Sequence, residues 1–411
     1  MLNVVKFGAI AGDAKINNTP HFQEALNTAG ENDAVFVPGG EYYFKDPLIM
    51  NNKRMVGVLH ALGNAFGSIL RLPEHDDRPR NLDYFIKVES DRNFQMENIR
   101  INCADNARKG IDLFHSIGGR TRLHNVEVTR STEVGFDFEE AVSMRGDGLI
   151  SQDNAGDGFH LRGCNAAVFT NIISQKNDGN GIIIKKSDNG THTGGCAVFG
   201  GTVQNNNGHG IIAETSTLTD ISHIWFEGNL GDAIRIQYAQ SVNVNNSRIT
   251  GPANDGTIAA DGGNRAIRII DSGKCRIRDN DISGGGNPVS GGDNTRFATI
   301  FSDSTSRLNY FSGNCHASTN NLETKIDTGG RASVENTIHT RNLNGPPELQ
   351  SSWRVGDIVW DELPTPGENI GWVCISGYSE EEVEIKLEDG GIETDTVKHY
   401  PVWKSFGRIE L

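Results

Sequence analysis

A short hydrophobic phrase recurs along the middle of the chain. A Gly or Ala is followed by an apolar, a variable and a second apolar position, and the phrase spans Gly110–Leu113, Gly135–Phe138, Gly158–Leu161, Gly181–Ile184, Gly210–Ala213, Ala233–Ile236 and Ala266–Ile269. Three of the six steps between successive phrases equal 23 residues, and the other three are longer. Repetition at a period of roughly 20–50 residues is typical of solenoid proteins, whose repeats each pack on their neighbours.

A second apolar set lies between these phrases and keeps the same spacing. Its members are Val126, Val128, Leu149, Ile150, Ile172, Ile173, Val203, Ile224, Phe226, Val242, Val244, Ile277 and Ile282. Alternating apolar positions predict short strands, and Asn, Asp and Gly clusters such as 153–156 and 205–208 predict the turns between them. No segment between 100 and 320 keeps a helical period.

Two or three short strands in each repeat predict an all-β fold, a right-handed parallel β-helix of about ten coils over residues 61–345. In such a fold each coil pairs with the next at a spacing of roughly 4.8 Å. Leucine-rich repeats have a similar length, but their Leu-x-x-Leu-x-Leu pattern is missing here.

The two ends of the chain depart from this pattern. Thr19–Pro20 opens an amphipathic stretch that stops at Gly30, which predicts an N-capped helix. An open strand edge favours aggregation, so we expect this helix to cap the first coil within the segment 1–60. Four of the five Trp residues fall in the last 60 positions, and we interpret 346–411 as a small C-terminal β-module. Its aromatic rings are expected either to form the module's core or to stack on sugar rings.

Composition agrees with an elongated protein rich in turns. Gly accounts for 49 of 411 residues, and hydrophobic residues make up 36%. The formal net charge of -15 would repel a phosphate backbone, so nucleic acid is not expected as a partner. The six cysteines lack Cys-x-x-Cys spacing, which predicts buried free thiols, and no metal or cofactor is expected.

No stretch approaches 18 apolar residues, and the first residues lack the basic and apolar segments of a signal peptide. We therefore expect that the protein does not insert into a membrane. We also expect that it is made in the cytoplasm without a signal peptide.

The N-terminal segment resembles a known family. Val5–Ala9, Gly12–Asp13 and Val35–Tyr42 resemble the start of pectate-lyase-type β-helix proteins related to polygalacturonases, a start shared by many bacteriophage tailspikes. The segment 346–411 resembles a short module of phage tail proteins. The resemblance implies a polysaccharide substrate, a parallel homotrimer, a place on a virion tail or extracellular surface, and contacts with phage tail or baseplate proteins.

Stacked coils would align alternate residues of the recurring phrase into columns on the outer face of the solenoid. One column contains Asp112, Asp137, His160, Ile183, Ile212, Arg235 and Arg268. Its neighbour contains Phe114, Glu139, Arg162, Lys185, Glu214 and Gln237. Both columns are expected to face solvent.

Two chemistries fit these columns. Asp137 and Glu139 would lie roughly 6.5–7 Å apart, close to the separation in inverting glycosidases, and Asp112 would lie roughly 5 Å from Asp137, close to the retaining value. Such proximity should raise the pKa of one carboxyl, as a general acid requires. In a lyase, a cation such as Arg162 would instead neutralise a uronate carboxylate while His160 removed the C5 proton. An exposed charge ladder with no catalytic role is the third interpretation.

The polygalacturonase family carries Asn-Thr-Asp-Gly, Asp-Asp, Gly-His-Gly and Arg-Ile-Lys on successive coils. Here Asp157 matches the end of the first motif, His209 lies in the third, and Arg235 begins a partial match to the fourth. The Asp-Asp motif is absent, because Gly179–Asn180 occupies its place. The resemblance therefore implies a related site without the family's acid pair.

Together these patterns predict a tailspike-type polysaccharide depolymerase that acts by hydrolysis or β-elimination. The candidate catalytic residues are Asp137, Glu139, His160, Arg162 and Asp157. The candidate substrate-binding residues are Asp112, Lys185, His209, Glu214 and Arg235. The alternatives are a glycan- or receptor-binding tail protein without catalysis, and a β-helix transglycosidase or epimerase.

Overall fold

The computed structural model describes most of the first 250 residues and shorter segments after them. The described ranges are 1–59, 67–74, 81–89, 92–117, 119–250, 265–283, 300–302, 305–312, 314–317, 326–328, 331–335, 338–341, 358–361, 369–376, 379–386, 392–399 and 402–408.

The described elements are two short helices and a long series of strands. A 3-10 helix spans Val4–Phe7, and the α-helix α1 spans Thr19–Thr28. The strands are β1 (Leu2–Asn3), β2 (Val35–Phe36), β3 (Gly40–Tyr43), β4 (Leu48–Ile49), β5 (Arg54–Val56), β6 (Ser68–Arg71), β7 (Leu82–Glu89), β8 (Gln95–Asn102), β9 (Ala107–Phe114), β10 (Arg122–Thr129), β11 (Val134–Glu139), β12 (Arg145–Asp147), β13 (Ile150–Gln152), β14 (Asp157–Arg162), β15 (Val168–Gln175), β16 (Ile182–Lys185), β17 (Ala197–Gln204), β18 (Ile211–Glu214), β19 (Asp220–Glu227), β20 (Ile234–Gln237), β21 (Asn243–Asn245), β22 (Arg248–Thr250), β23 (Ile267–Ile270), β24 (Arg276–Arg278), β25 (Asp281–Ser283), β26 (Ile300–Ser302), β27 (Arg307–Ser312), β28 (Cys315–Ala317), β29 (Ile326–Thr328), β30 (Arg331–Glu335), β31 (Ile338–Arg341), β32 (Ile358–Asp361), β33 (Asn369–Ser376), β34 (Ser379–Lys386), β35 (Ile392–His399) and β36 (Val402–Arg408).

The chain winds as a right-handed parallel β-helix, which confirms the predicted fold class. One sheet stacks eleven of the described strands, from β4 through β7, β9, β11, β14, β16, β18, β20, β23 and β26 to β29, and we call it the eleven-stranded sheet. The remaining solenoid strands form a larger sheet that completes each coil. The recurring phrase of the sequence supplies the eleven-stranded sheet, since Phe136 pairs with Phe159 and Phe159 pairs with Ile182.

The core runs along the axis between the sheets. The rings of Phe136 and Phe159 stack at a centroid distance of 4.8 Å, as expected when like positions of successive coils meet. The Gly that opens the phrase is needed for close approach of neighbouring coils. A Cβ atom at Gly158 would lie 2.3 Å from Oγ of Ser174 and 2.5 Å from the carbonyl oxygen of Gly181.

Buried asparagines bridge the coils at one corner of the solenoid. Nδ2 of Asn154 donates to Oδ1 of Asn177 at 2.8 Å, Asn177 donates to Asn206 at 2.8 Å, and Asn206 donates to Asn229 at 2.9 Å. All four side chains are almost fully buried, so these bonds satisfy polar groups that water cannot reach. The Asn clusters predicted as turns therefore also hold successive coils together.

Helix α1 packs on the first coil, as predicted. The Phe22 ring meets Phe44 at 4.8 Å, and Phe44 meets Phe85 at 5.4 Å, so an aromatic chain joins the helix to the core. The expected side-chain cap was wrong. Asn18 occupies the N-cap position without a capping hydrogen bond, because its amide is used to accept from the backbone N–H of Ile10 and to donate to the carbonyl of Tyr43.

Parallel pairing ends near the C-terminus. Strand β32 still pairs in parallel with β31, whereas β33 pairs antiparallel with β32 and β36, and β34 and β35 form a hairpin. The predicted module boundary at 346 lies outside the described residues and stays a prediction. Cys103, Cys164, Cys196 and Cys275 are free and buried, as predicted for them.

Candidate active site

The outer face of the eleven-stranded sheet carries both predicted columns in register. Asp112 pairs with Asp137, Asp137 with His160, and the series continues through Ile183, Ile212, Arg235 and Arg268. In the second column, Glu139 pairs with Arg162 and Arg162 with Lys185. The predicted alignment of residues from successive coils is therefore confirmed.

Asp137 points away from the core but does not reach solvent. Phe136 and Phe138 on either side of it face inward, so its carboxylate projects from the outer face. Only 1% of Asp137 is exposed, because Arg162 and Lys109 cover it. Both columns were expected to face solvent. This was wrong for Asp112 and Asp137 in the first column and for Arg162 in the second, because neighbouring side chains bury all three.

The charges around Asp137 keep its carboxyl ionised. Nε and Nη2 of Arg162 donate to its two oxygens at 2.9 and 2.6 Å, and Nζ of Lys109 lies 2.6 Å from Oδ2. Burial would raise the pKa of Asp137, but the bonds from Arg162 and the charge of Lys109 outweigh burial, so the pKa is lowered. Crowding was expected to raise the pKa of one carboxyl in this group, and for Asp137 the neighbouring cations produce the opposite shift.

Arg162 joins three carboxylates, two from β11 and one from the connection after β16. Besides Asp137, its Nη2 lies 2.9 Å from Oε2 of Glu139, and its Nη1 donates to Asp188 at 2.6 Å. Oδ2 of Asp137 and Oε2 of Glu139 contact the same guanidinium nitrogen, which therefore lies between these two oxygens. The two carboxylates thus act as ligands of Arg162.

His160 forms a pair with Asp157 at the start of the same strand, β14. Nε2 of His160 lies 2.8 Å from Oδ2 of Asp157, and Nδ1 lies 3.8 Å from Oδ1 of Asp137. Burial would raise the pKa of Asp157, but hydrogen bonds from His160 and the backbone N–H of Asn180 lower it below its usual value. An ionised carboxylate only accepts, so Nε2 of His160 donates this hydrogen bond, and Nδ1 is the ring nitrogen that the pair leaves over.

Asp157 begins a ladder that runs along the solenoid. Each side chain accepts a hydrogen bond from the backbone N–H of the residue one coil further on. Asp157 accepts from Asn180 at 2.6 Å, Asn180 from His209 at 2.8 Å, His209 from Asp232 at 2.7 Å, and Asp232 from Arg265 at 2.8 Å. This ladder fixes the orientation of Asp157 beside His160 and leaves Nδ1 of His209 as an acceptor.

A second charged cluster surrounds Asp232, which is 1% exposed. Nε of Arg268 lies 2.9 Å from its Oδ2, and His209 and Arg235 lie 3.6 and 3.9 Å from the same oxygen. The predicted site residues therefore fall into two groups on one face. Half-buried Ile183 and Ile212 separate the cluster at Asp137 and His160 from the cluster at Asp232.

The remaining predicted residues border the first group. Asp112 accepts a bond from Lys109 at 2.8 Å and lies 3.8 Å from Nζ of Lys87. Lys185 and Glu214 are half-buried at the ends of β16 and β18, and Lys185 forms no ion pair within the part of the chain that the structure describes.

The sequence interpretation missed Lys109, Asn180, Asp188 and Asp232. A signal existed for three of them. Lys109, Asn180 and Asp232 each precede the small residue that opens a phrase, as do Asp157 and His209. Aligning that position would have given a third polar column. Asp188 lies in the connection after β16, and no spacing rule ties it to Arg162.

Among the described residues, no group of His, Cys, Asp and Glu side chains is arranged to hold a metal ion. The helices in those ranges also include none that is both long and apolar enough to cross a membrane.

Comparison with known proteins supports the fold. No protein-family model matches the chain, and no curated protein is similar in sequence. Solved structures do match. The enzymatically active domain of tailspike protein 2 from bacteriophage CBA120 aligns with a TM-score of 0.59 at 14% identity, over 94% of this chain and 56% of that one.

Two further matches come from bacteria. The A-module of the mannuronan C-5 epimerase AlgE6 from Azotobacter vinelandii aligns with a TM-score of 0.54 at 15% identity, over 81% of this chain and 99% of that one. DFA-IIIase from Arthrobacter chlorophenolicus aligns with a TM-score of 0.58 at 13% identity, over 81% and 94%. At these identities the similarity establishes a shared β-helix fold.

Proposed function

We propose that the protein is a tailspike-type depolymerase of an acidic polysaccharide, and that it cleaves the chain by β-elimination on the coils carrying Asp137 and His160. A carbohydrate substrate is supported by the shared fold, since the similar structures include a tailspike's enzymatically active domain and a mannuronan epimerase. Fold alone does not define a reaction, so the proposal depends on the site.

The single observation that carries the proposal is the His160–Asp157 pair. Asp157 holds Nε2 of His160 at 2.8 Å and is itself held by Asn180, so the imidazole has a defined orientation and tautomer. An imidazole fixed by a carboxylate is suited to proton transfer near neutral pH. About 19% of the His160 side chain is exposed, which leaves the ring accessible from the outer face.

In the proposed step, Nδ1 of His160 takes the proton from C5 of a uronate residue. The electron pair forms the C4–C5 double bond, the bond from C4 to the glycosidic oxygen breaks, and that oxygen takes a proton from water. His160 then returns its proton to solvent. The products are a chain with an unsaturated uronate at its new non-reducing end and a chain with a new reducing end.

The cations beside His160 fit such a substrate. A C5 proton becomes acidic only when the adjoining carboxylate is neutralised, which requires a nearby positive charge. Lys185 lies one coil beyond Arg162 in the second column and is half-buried at the edge of the site. We assign the uronate carboxylate to Lys185, because Lys109 and Arg162 already bind Asp137.

Hydrolysis fits this geometry less well. A hydrolase requires a protonated carboxyl and a second carboxylate with a separation set by its mechanism. The pKa of Asp137 is lowered, and both Asp137 and Glu139 bind Arg162, so neither is placed as a proton donor.

A glycan-binding protein without catalysis is the second candidate. The specific observation in its favour is that the carboxylates near His160 all have cationic or hydrogen-bonding partners already. Such a saturated network could serve mainly to stiffen a binding surface.

The tailspike proposal also includes an assembly and a location. A parallel homotrimer on a virion tail or extracellular surface, in contact with tail or baseplate proteins, would fit the similarity to tailspike protein 2. Light scattering on the full chain measures the mass, and a monomer would contradict the trimer.

The test is a screen of acidic polysaccharides with both product types recorded. Elimination yields an ultraviolet-absorbing unsaturated uronate, whereas hydrolysis yields new reducing ends without that absorbance. We expect unsaturated products from the wild type and a loss of about 10²–10⁴-fold in kcat for His160→Gln. The matched control is His124→Gln, because His124 forms a similar pair with Asp147 at 3.0 Å on the larger sheet. Reducing ends alone would support hydrolysis, and binding without cleavage would support the second candidate.

A further inference from the structure

A groove on the larger sheet lies outside the site described above. It has a volume of about 630 Å³ and is lined by Leu218, Leu308, Tyr310, Lys274, Arg276 and Arg278, among others. None of these residues takes part in the contacts of Asp137, His160 or Asp232.

The repeat builds the groove from two columns. Leu218, Ser241, Lys274 and Leu308 adopt left-handed backbone conformations on four successive coils, with φ of 53°, 58°, 58° and 58°. The first three lie at the turn that precedes a strand, and Leu308 lies at the irregular start of β27. The strand column beside this turn runs through Asn243, Arg276 and Tyr310, which pair in register. Side chains of the turn column and the strand column thus form the two walls of one groove.

Three cations enter the groove from a single coil. Arg276 and Arg278 flank buried Ile277, so both side chains project outward, roughly 6.7 Å apart along the strand. Within the described part of the chain, Lys274, Arg276 and Arg278 form no ion pair. Like charges so close repel one another, and in a protein of net charge -15 they form a local basic patch suited to an anionic ligand.

Apart from the polar Ser241 and Asn243, the other lining residues are apolar or aromatic, and the two leucines are unusually open to solvent. Leu218 is 67% exposed and Leu308 is 69% exposed, and the Tyr310 ring lies in the strand column beside them. Sugar rings present apolar C–H faces that pack on such side chains, while Arg and Lys bind carboxylates. A simple anion would need the cations and not the exposed leucines.

We propose that this groove is a second, non-catalytic binding site for an acidic polysaccharide, with Arg276 and Arg278 binding sugar carboxylates and Leu218, Leu308 and Tyr310 packing on the rings. The coil of Arg276 lies four coils beyond His160, roughly 19 Å along the axis. A polymer held in the groove is kept near the enzyme between cleavage events, because tethering raises its local concentration.

The experiment measures binding of a short oligogalacturonate by titration calorimetry, in the His160→Gln background so that the probe is not cleaved. We expect the added double substitution Arg276→Gln/Arg278→Gln to weaken binding by about tenfold or more and to reduce its salt dependence. The same oligomer with methyl-esterified carboxyl groups should bind equally weakly to both proteins.

The matched control is Arg122→Gln/Arg145→Gln. These residues occupy the same strand column as Arg276 on earlier coils, outside the groove, so the loss of charge is identical. Its affinity should stay within about twofold of the parent, and unfolding temperatures should match across the set.

Equal affinities for parent and groove variant overturn the proposal, as does absence of binding to any acidic oligomer. A groove variant whose mass falls while its affinity is kept identifies the groove as a subunit contact and also overturns it. Because binding and not cleavage is measured, the groove can fail while the elimination site stands, and the reverse.

Discussion

Arg162 donates two hydrogen bonds to Asp137 on the neighbouring coil, from Nε to Oδ1 at 2.9 Å and from Nη2 to Oδ2 at 2.6 Å. The carboxylate is 1% exposed, so this contact is shielded from the solvent that weakens surface ion pairs. The same guanidinium reaches Glu139 and Asp188. Removal of one charge therefore leaves several others without balance.

Asp137→Asn should destabilise the fold by about 3–5 kcal/mol, because Lys109 and the buried guanidinium of Arg162 lose their shared anion. The matched control is Glu97→Gln, which breaks the partly exposed Arg54–Glu97 pair at 3.0 Å and should cost less than about 1 kcal/mol. Chemical unfolding of both variants measures the difference. Equal losses would show that the Asp137 contact is no stronger than a surface pair.

The stabilisation from Asp137 should depend on pH in one direction. Its pKa in the folded protein is lowered, so it contributes stability above the unfolded value of about 3.9 and loses that contribution as the pH falls through the folded pKa. The gap in unfolding temperature between wild type and Asp137→Asn should be constant from about pH 7 to pH 5 and shrink below about pH 4. A difference in unfolding temperature that grows as the pH falls would show that Asp137 is not ionised in the folded protein.

Asp157 is a positioning residue for His160, and its substitution should separate kcat from KM. In Asp157→Asn the side-chain amide can either donate or accept, so a proton on Nε2 of His160 is no longer required. The tautomer that leaves Nδ1 unprotonated is then no longer favoured. We expect kcat to fall by about 10²-fold or more with KM nearly unchanged. Asp147→Asn, the partner of His124, should change neither value. A rise in KM alone would place Asp157 in substrate binding.

Lys185→Gln should lower kcat as well as substrate affinity. Because Lys185 neutralises the uronate carboxylate in the proposed step, its loss should lower kcat by about 10²-fold or more and raise KM by about tenfold for an acidic polymer. Lys186→Gln is the control, since the next residue is exposed beyond the end of β16. Steady-state kinetics on one polymer measure both. Similar effects from the two lysines would indicate general attraction of the polymer by charge.

The buried asparagines should matter more than their polarity suggests. Asn177→Ala removes the bonds to Asn154 and Asn206 and leaves their partner groups buried and unsatisfied, so a loss of about 2–4 kcal/mol is expected. Asn207→Ala, an exposed asparagine that binds Asp178, should cost less than about 1 kcal/mol. Thermal unfolding measures the stability of both variants. Equal losses would show that the hydrogen bonds between the buried asparagines do not stabilise the fold.

Part of the candidate site could be found from the chain alone. Asp137 and His160 align because 23 residues complete one coil, and that period is visible in the phrases beginning at Gly135 and Gly158. The pairing of Asp157 with His160 does not follow from the spacing, because residues three positions apart on a regular strand face opposite sides of the sheet, whereas these two side chains meet at 2.8 Å. Neither Asp188 nor the cover over Asp137 could be found this way, because both depend on the path of connections whose lengths differ between repeats.

The sequence by itself determined the solenoid, the order of its columns and the capping helix, because hydrophobic periodicity dictates which side of each strand is buried. Tertiary structure alone decided which charges meet. Side-chain contacts between coils depend on rotamers, on distances of a few ångströms and on the charged side chains nearby. Asp137, which the sequence predicted as an exposed acid, is therefore a buried anion between Lys109 and Arg162.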